Sequence, residues 1–192
     1  MQLRATATAA LLVALAGCGG GGTTATTGPA ATAKATAADA VVKTSEGTFT
    51  IRLDAKDSPH TVASFESLAR KGFFDGTIFH RIVPGFVIQG GDPTGTGSGG
   101  PGYSTVDPPP ADTRYTKGTV AMAKTQAEPP GTAGSQFFVV TADDAQLPPD
   151  YAVLGQVVSG LDVVEKIGEL GDPATEQPTK RVEIGSITIR SS

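Results

Sequence analysis

The chain has 192 residues, with 15 Lys or Arg and 19 Asp or Glu, and its formal net charge at pH 7 is −4. This length suits one domain with additional segments. The basic residues form no run or stripe, which argues against nucleic acid as a partner and against electrostatic docking to anionic lipid.

The first 17 residues have the pattern of an export signal. Arg4 supplies a positive charge, and a mostly apolar run follows it from Ala5 to Gly17. This run is shorter than the roughly 20 residues that a membrane-spanning helix needs, so a cleaved signal peptide is the better interpretation. Its last residues and Cys18 read Leu-Ala-Gly-Cys, which resembles the lipobox of bacterial lipoproteins, where the cysteine carries a lipid.

Cys18 is the only cysteine, so the chain forms no internal disulfide bond. A loop cysteine without a role is the alternative, but the lipobox resemblance implies a lipoprotein signal peptide over 1–17 and a lipid anchor on Cys18. Residues 18–38 are rich in Gly, Ala and Thr, which is typical of a flexible linker. Such a linker would hold a domain on the order of 25 Å from the membrane.

The folded domain is expected over residues 39–192, beginning with a β-hairpin. Residues 40–44 and 48–53 are rich in β-forming residues and are separated by a short segment that contains Gly47. The second segment alternates apolar and polar residues, as a half-buried strand does.

A helix is predicted at about 59–71. Ser58 can cap it, Pro59 suits its first position, and apolar residues then recur at spacings of three and four. His60 falls in the first turn and is interpreted as a solvated surface residue.

The apolar segment 79–92 predicts two strands with a break at Pro84-Gly85, because Pro cannot donate to a β-ladder and Gly permits a bend. Arg81 lies inside this segment. A buried Arg requires a partner, so Arg81 either forms a structural ion pair or directs its donors at a ligand. No acidic residue lies in the same strand.

The second half of the chain alternates loops with short β-rich segments. Strands are predicted at 119–123, 135–140 and 152–158, a helix at 161–167, and a strand pair over 182–190. The long loop 90–117 is expected to be functional or mobile. Its glycine-rich part, 95–100, lacks the Lys-Ser/Thr and the helix of a phosphate loop, so it is interpreted as a flexible wall. The strand pattern predicts a β-barrel or a β-sandwich with two helices.

Two motifs carry a resemblance to a known family. Residues 79–92 match Phe-His-Arg-x-x-Pro-x-Phe-x-x-Gln-Gly-Gly-Asp at every fixed position, and Gly-Ser-Gln-Phe-Phe follows at 134–138. Both are similar to the motifs of the cyclophilin family, and the resemblance runs from about Val41 to Arg190. It implies a mainly β fold, namely a closed eight-stranded antiparallel β-barrel capped by two α-helices. It also implies peptidyl-prolyl cis-trans isomerase activity.

The residue inventory agrees with this reaction. The histidines are His60 and His80, and the chain shows no Ser/His/Asp set, metal-ligating cluster or phosphate loop. No cofactor and no metal are therefore expected. Rotation about an X–Pro bond breaks no covalent bond, and amide resonance makes it slow, with a barrier of roughly 18–20 kcal/mol. A fixed cation that stabilises the twisted amide more than the planar one accelerates it, and Arg81 is the candidate.

The resemblance implies the site residues. Those expected to be catalytic are Arg81, Phe86 and Gln89. Those expected to bind substrate are His80, Val87, Met122, Ala123, Lys124, Gln136, Phe138, Leu147 and Tyr151. Lys124 stands where the family usually has Asn, and Val87 and Tyr151 replace a frequent Met and a frequent His. These departures bear on substrate preference.

Strand alternation provides a check on this set. Gln136 and Phe138 share one face of their strand, and Phe137 lies on the other. By analogy with the family, the first face carries the groove and the second fills the barrel. Arg81 and Phe86 differ in parity, so Pro84-Gly85 must break the register if both are to reach one site.

The functional hypothesis is a monomeric prolyl isomerase that assists the folding of exported proteins. Its substrates would be proline-containing polypeptides, and it would be anchored through Cys18 to the bacterial cell membrane, outside the cytoplasm. The alternative is a proline-peptide binding module or chaperone with little catalysis.

Overall fold

Strands make up most of the regular structure in residues 38–191, which are the residues that the computed structural model describes. The strands are β1 (Ala38–Thr44), β2 (Gly47–Leu53), β3 (Arg81–Val83), β4 (Val87–Gly90), β5 (Thr105–Val106), β6 (Thr119–Met122), β7 (Thr132–Ala133), β8 (Phe137–Val140), β9 (Val153–Ser159) and β10 (Ile184–Ser191). The helices in this range are α1 (Pro59–Arg70) and α2 (Leu161–Gly168), and neither is long and apolar enough to cross a membrane. The expected signal peptide, Cys18 and the linker up to residue 37 lie outside the described residues.

Eight strands form one curled antiparallel sheet in the order β10-β1-β2-β9-β6-β8-β4-β3, and β5 pairs separately with β7. β10 and β3 lie at the two ends of this order and do not pair with each other. The sheet is therefore an open half-barrel, and the expectation of a closed barrel is wrong.

Irregular backbone occupies the gap between the two ends of the sheet. Ile78 forms isolated bridges with Asp92 and with Glu183. The Ile82 N–H, on the edge strand β3, donates to the Glu176 carbonyl at 2.9 Å. The sheet stays open because β3 has only three residues and its edge is covered by the segment between α2 and β10.

The predicted local elements are largely present. β1 and β2 form the expected hairpin around Ser45-Glu46, and β3 and β4 are separated at Pro84–Phe86 as expected. The predicted strand pair at 182–190 is instead the single strand β10. Glu183, directly before β10, pairs with Ile78 as an isolated bridge rather than as part of a strand.

Helix α1 is capped from a distant loop. The Ser58 side chain makes no capping hydrogen bond. Instead, the Thr61 N–H donates to the buried Asp107 carboxylate at 2.6 Å, and His60 Nδ1 lies 2.8 Å from the same carboxylate. Burial alone would raise the pKa of Asp107, but the hydrogen bonds from His60 and Thr61 outweigh it and lower that pKa. His60 is exposed as expected, yet it has a defined partner.

Alternation along β8 divides the apolar residues between two clusters. Phe137 and Val139 belong to the main core between the sheet and the helices, where Phe137 packs edge-on against Phe65 at 5.8 Å between ring centroids. Phe138 and Val140 face the other way, into a smaller cluster. Because successive strand residues point to opposite faces, this second cluster lies on the outer side of the sheet, where the candidate site is built.

Candidate active site

The hairpin β3–β4 brings the two halves of the long motif together. Pro84 and Gly85 form its turn, in which Gly85 has φ 69° and the Phe86 N–H donates to the Val83 carbonyl at 3.0 Å. Pro at the second position and a residue of positive φ at the third are the features of a type II turn. Arg81 pairs with Gln89 across the hairpin. The turn thus breaks the register, as the parity argument required.

Nine of the predicted residues line one groove of about 220 Å³. They are Arg81, Phe86, Val87, Gln89, Ala123, Lys124, Phe138, Leu147 and Tyr151. The Phe138 and Tyr151 rings meet edge-on, with centroids 5.4 Å apart. The groove therefore combines aromatic and aliphatic walls with the cationic side chains of Arg81 and Lys124.

A larger cavity of about 600 Å³ adjoins this groove and shares Gln89, Ala123 and Lys124 with it. Gln136 and the glycine-rich run line this second cavity. An open groove of about 570 Å³ elsewhere on the surface, lined in part by Arg52 and Pro110, contains none of the predicted site residues.

Three predicted substrate-binding residues lie outside this groove: Gln136 lines the adjoining cavity, and Met122 and His80 line neither. Met122 is buried in the main core, because it lies on the same face of β6 as Val120 and opposite Ala121. His80 lies behind the glycine-rich run, where a Cβ on Gly97 would be 3.6 Å from its imidazole. Met122 is outside the groove because its side chain lies on the core face of β6. His80 is outside the groove because the glycine-rich run lies against its imidazole.

A continuous chain of hydrogen bonds crosses the site. Arg81 Nη1 donates to Gln89 Oε1 at 3.4 Å, and Gln89 Nε2 donates to Gln136 Oε1 at 3.1 Å. Gln136 Nε2 donates to the carbonyls of Gly97 and Gly99, both at 2.9 Å. Arg can only donate and a carbonyl can only accept, so the orientation of both amide groups is determined by the chain.

The glycine-rich run is wrapped around one carboxylate. Asp92 is fully buried and accepts hydrogen bonds from the N–H groups of Thr94, Thr96, Gly97 and Gly99 and from the Thr94 hydroxyl. Burial alone would raise the pKa of Asp92, but these hydrogen bonds outweigh it and lower the pKa to about 2. A Cβ on Gly99 would lie 2.1 Å from the carboxylate. The wall predicted as flexible is therefore held by a buried ion.

Arg81 has a carboxylate partner that sequence reasoning missed. Its Nε donates to Glu176 Oε2 at 2.7 Å, across 95 residues of sequence. Arg81 therefore forms the ion pair that was considered as the alternative to a role at a ligand. The same side chain also lines the groove. No local signal marks Glu176, because it belongs to an irregular segment.

His80 has the character of a buried neutral imidazole. Both ring nitrogens are buried without a hydrogen-bond partner among the described residues. Burial lowers the pKa of His80 below its ordinary value. Within residues 38–191, no group of three or more His, Cys, Asp or Glu side chains is arranged to hold a metal ion.

Lys124 contributes a second cation to the groove. Its side chain is 5% exposed, and Nζ donates to the carbonyls of Thr125 and Glu128, both at 3.2 Å. The same Nζ lies 5.5 Å from the Tyr151 ring centroid, within the range of a cation–π contact. The change from the usual Asn therefore places a buried charge beside an aromatic wall.

Tyr115 is a further site residue that sequence reasoning missed. Its ring is fully buried in the second cluster, and its hydroxyl bonds both backbone groups of Tyr151. Burial raises the pKa of Tyr115 to about 12, so the phenol stays protonated. In the sequence, Tyr115 is marked as a candidate only by being an aromatic residue in the long polar loop 90–117.

Comparisons with known proteins identify the family of the chain. The family model described as cyclophilin type peptidyl-prolyl cis-trans isomerase/CLD matches residues 40–189. A peptidyl-prolyl cis-trans isomerase of Arabidopsis thaliana is 37% identical over 150 residues, which cover 76% of this chain and 90% of that protein. Peptidyl-prolyl cis-trans isomerase A of Mycobacterium tuberculosis is 38% identical over 182 residues, covering 85% of this chain and 96% of that protein.

Solved structures show the same likeness. The cyclophilin type peptidyl-prolyl cis-trans isomerase of Cryptosporidium parvum superposes with a TM-score of 0.74 and 31% identity, covering 80% of this chain and 98% of that one. The crystal structure of the same protein in the presence of the dipeptide Ala-Pro superposes with a TM-score of 0.73 and 30% sequence identity. That match covers 80% of this chain and 99% of the other. The family model spans most of the chain, and the relatives exceed 30% identity over most of their own length. The chain therefore belongs to the family of cyclophilin-type peptidyl-prolyl cis-trans isomerases.

Proposed function

We propose that the groove binds an X–Pro segment of a polypeptide and that Arg81 stabilises the twisted amide during cis-trans rotation. The observation that carries this proposal is that Arg81 lines the same groove as the apolar side chains Phe86 and Phe138. The groove thus combines a place for a pyrrolidine ring with a donor for the bond that rotates.

The electrostatic step follows from amide resonance. A planar amide delocalises the nitrogen lone pair into the carbonyl, whereas the twisted transition state returns it to the nitrogen. A fixed cationic donor directed at that nitrogen stabilises the twisted state more than either planar state, and only such differential stabilisation accelerates the reaction. Arg81 uses Nε for Glu176 and one N–H of Nη1 for Gln89. Its Nη2 has no partner among residues 38–191 and can serve the substrate.

The apolar walls hold the ring while the amide turns. Phe86, Val87, Phe138 and Leu147 line the groove, and Phe138 is packed between Tyr115 and Tyr151. Rigid aromatic side chains bind an apolar ring at little cost in conformational entropy. The walls supply binding, and Arg81 supplies the preference for the transition state.

Proline-containing polypeptides are the proposed substrates. The Cryptosporidium parvum relative was crystallised in the presence of Ala-Pro, which supports an X–Pro ligand for this groove as well. The adjoining cavity, which shares Gln89 and Lys124 with the groove, would take the residues that precede the proline. Its lining of glycine backbone and polar side chains suits an extended chain better than an apolar ligand.

We further propose that the enzyme is a monomeric lipoprotein that acts on exported proteins outside the cytoplasm. The support is the sequence up to Cys18, where a short apolar run ends in Leu-Ala-Gly-Cys. Mass spectrometry of the mature N-terminus tests this proposal. A chain beginning at a diacylated Cys18 is expected, and a retained Met1 or an unmodified Cys18 would contradict it.

The catalytic proposal is tested with the full-length chain and a tetrapeptide that contains Ala-Pro. Exchange NMR gives the cis-trans rate, and titration of the same peptide gives the dissociation constant. In Arg81→Ala, kcat should fall at least about 100-fold, the loss typical of a preorganised donor at a transition state, while peptide binding weakens only slightly. A wild-type protein that binds the peptide without accelerating exchange would favour the binding-module alternative. Equal activity in Arg81→Ala would contradict the role of the guanidinium.

A further inference from the structure

The Arg81–Glu176 contact lies at the open edge of the half-barrel. Arg81 begins the edge strand β3, and Glu176 comes from the irregular segment between α2 and β10. The 2.7 Å distance between Nε and Oε2 is that of a charge-assisted hydrogen bond. The two side chains are 35% and 47% exposed, so the pair is partly screened by solvent.

The backbone of Glu176 is anchored on both sides. Its N–H donates to the Asp172 carbonyl at 2.8 Å, and its own carbonyl accepts the Ile82 N–H at 2.9 Å. The Asp172 carboxylate accepts the N–H groups of Ala174 and Thr175 at 2.8 and 3.1 Å. The loop is therefore tied to β3 next to Arg81 by its main chain, independently of the ion pair.

Glu176 also has φ 58°, in the left-handed region. Residues other than Gly rarely adopt this region, and among them Asn and Asp are the most frequent. A Glu at this position accepts local backbone strain, and such strain persists where the surrounding structure imposes it. The strained conformation is the one in which the main chain contacts Ile82 while the side chain contacts Arg81.

We propose that Glu176 is a positioning residue for Arg81. Its carboxylate holds Nε and Gln89 holds Nη1, so the planar guanidinium is fixed at two points and Nη2 is left for the substrate. This inference rests on the proposed function, because it assigns Glu176 to the group that stabilises the twisted amide. The carboxylate acts through Arg81 and does not touch the substrate.

Two substitutions of Glu176 separate its contact with Arg81 from its negative charge. Glu176→Asn adopts a positive φ readily but is one methylene too short to keep the contact with Nε. Glu176→Gln keeps the length and an acceptor oxygen and removes only the charge. Glu169→Asn is the matched control, because Glu169 is an exposed acid directly after α2.

The measurements use the full-length chain, the Ala-Pro tetrapeptide, exchange NMR for kcat and titration for peptide affinity. Glu176→Asn should lower kcat about three- to tenfold and leave the dissociation constant within about twofold, since the apolar walls that supply the binding are untouched. Glu176→Gln should recover at least about half of the rate, because its amide oxygen accepts the same Nε–H. Glu169→Asn should match the wild type, and circular dichroism should show that every variant is folded.

The outcomes distinguish this inference from the proposed function. A Glu176→Asn variant as fast as the wild type, beside an inactive Arg81→Ala, would overturn the positioning role and leave the role of Arg81 intact. A faster variant would overturn it too, since the carboxylate would then compete with substrate for Arg81. Equal losses in the Asn and Gln variants would show that charge, not position, is the contribution of Glu176. Full activity in Arg81→Ala would instead contradict the proposed function itself.

Discussion

Tyr115 holds the backbone of Tyr151 with a single hydroxyl group. Its Oη donates to the Tyr151 carbonyl at 2.7 Å and accepts the Tyr151 N–H at 2.9 Å. The Tyr115 carbonyl also accepts the Ala145 N–H at 2.9 Å. One buried residue thus fixes a groove wall and the segment that leads to Leu147.

Removal of this hydroxyl should weaken the wall. In Tyr115→Phe, the N–H and carbonyl of Tyr151 lose their partner, and an unsatisfied buried polar group costs about 1–3 kcal/mol. We expect the free energy of unfolding, measured by urea denaturation, to fall by about that amount and the peptide dissociation constant to rise. Tyr103→Phe is the control, since that side chain is half-exposed and bonds only Ser64. Equal stability of the two variants would contradict the role given to Tyr115.

Asp92 should make the stability of the fold depend on acid pH. Its pKa is lowered from 3.8 to about 2, so the carboxylate stabilises the native state fully above about pH 4, and this contribution is lost as pH falls toward 2. In Asp92→Asn, the side-chain NH₂ would face backbone N–H donors. We expect a loss of about 2.5 kcal/mol at neutral pH, because a change of one pKa unit corresponds to about 1.4 kcal/mol.

Denaturation of Asp92→Asn between pH 2 and pH 7 tests this prediction. The difference in unfolding free energy from the wild type should shrink as pH falls from about 4 to 2. Asp75→Asn is the control, because Asp75 is exposed on a turn. A difference that stays constant across this range would show that the carboxylate charge is not what holds the glycine-rich run.

Phe86 should affect binding more than a comparable ring elsewhere does. Phe86 and Phe73 are both half-buried, but Phe86 lines the groove and Phe73 packs against the main core. Both Phe→Ala variants should lose on the order of 1–3 kcal/mol of unfolding free energy. Only Phe86→Ala should raise KM, by about tenfold, because it removes about 1.4 kcal/mol of apolar contact with the ring. Initial rates against peptide concentration provide the test, and equal KM values in the two variants would refute it.

His80 should matter for stability and not for proton transfer. Its pKa is lowered by burial below the ordinary value of 6.5, so the unfolded chain binds a proton that the native state does not. Stability should therefore decline as pH falls below 6.5, by up to about 1.4 kcal/mol per pH unit. In His80→Phe this decline should be smaller, and the isomerisation rate between pH 6 and pH 8 should stay level and close to that of the wild type. A rate that depends on pH only when His80 is present would assign it a catalytic role.

Much of the site could be predicted from short-range features of the sequence. The alternation 136–138 separates Phe138 from Phe137, and the structure places these rings in different clusters. Pro84-Gly85 predicts the turn that brings Phe86 to the face of Arg81. Met122 was expected to bind substrate, but its side chain lies on the core face of β6, opposite Ala121. The helix cap was assigned to Ser58, although the tertiary structure supplies Asp107.

The sequence by itself determined the order and type of the main elements, the turn at Pro84-Gly85 and the family motif, because these depend on backbone preferences and side-chain periodicity over a few residues. The tertiary structure decided that the sheet stays open and which groups hold the site. Asp107 meets α1, Tyr115 meets Tyr151, and Glu176 meets Arg81 across 95 residues. Each of these partners comes from an irregular segment, where no periodicity indicates what a side chain faces. Such contacts form only when the curled sheet brings distant loops to its edge.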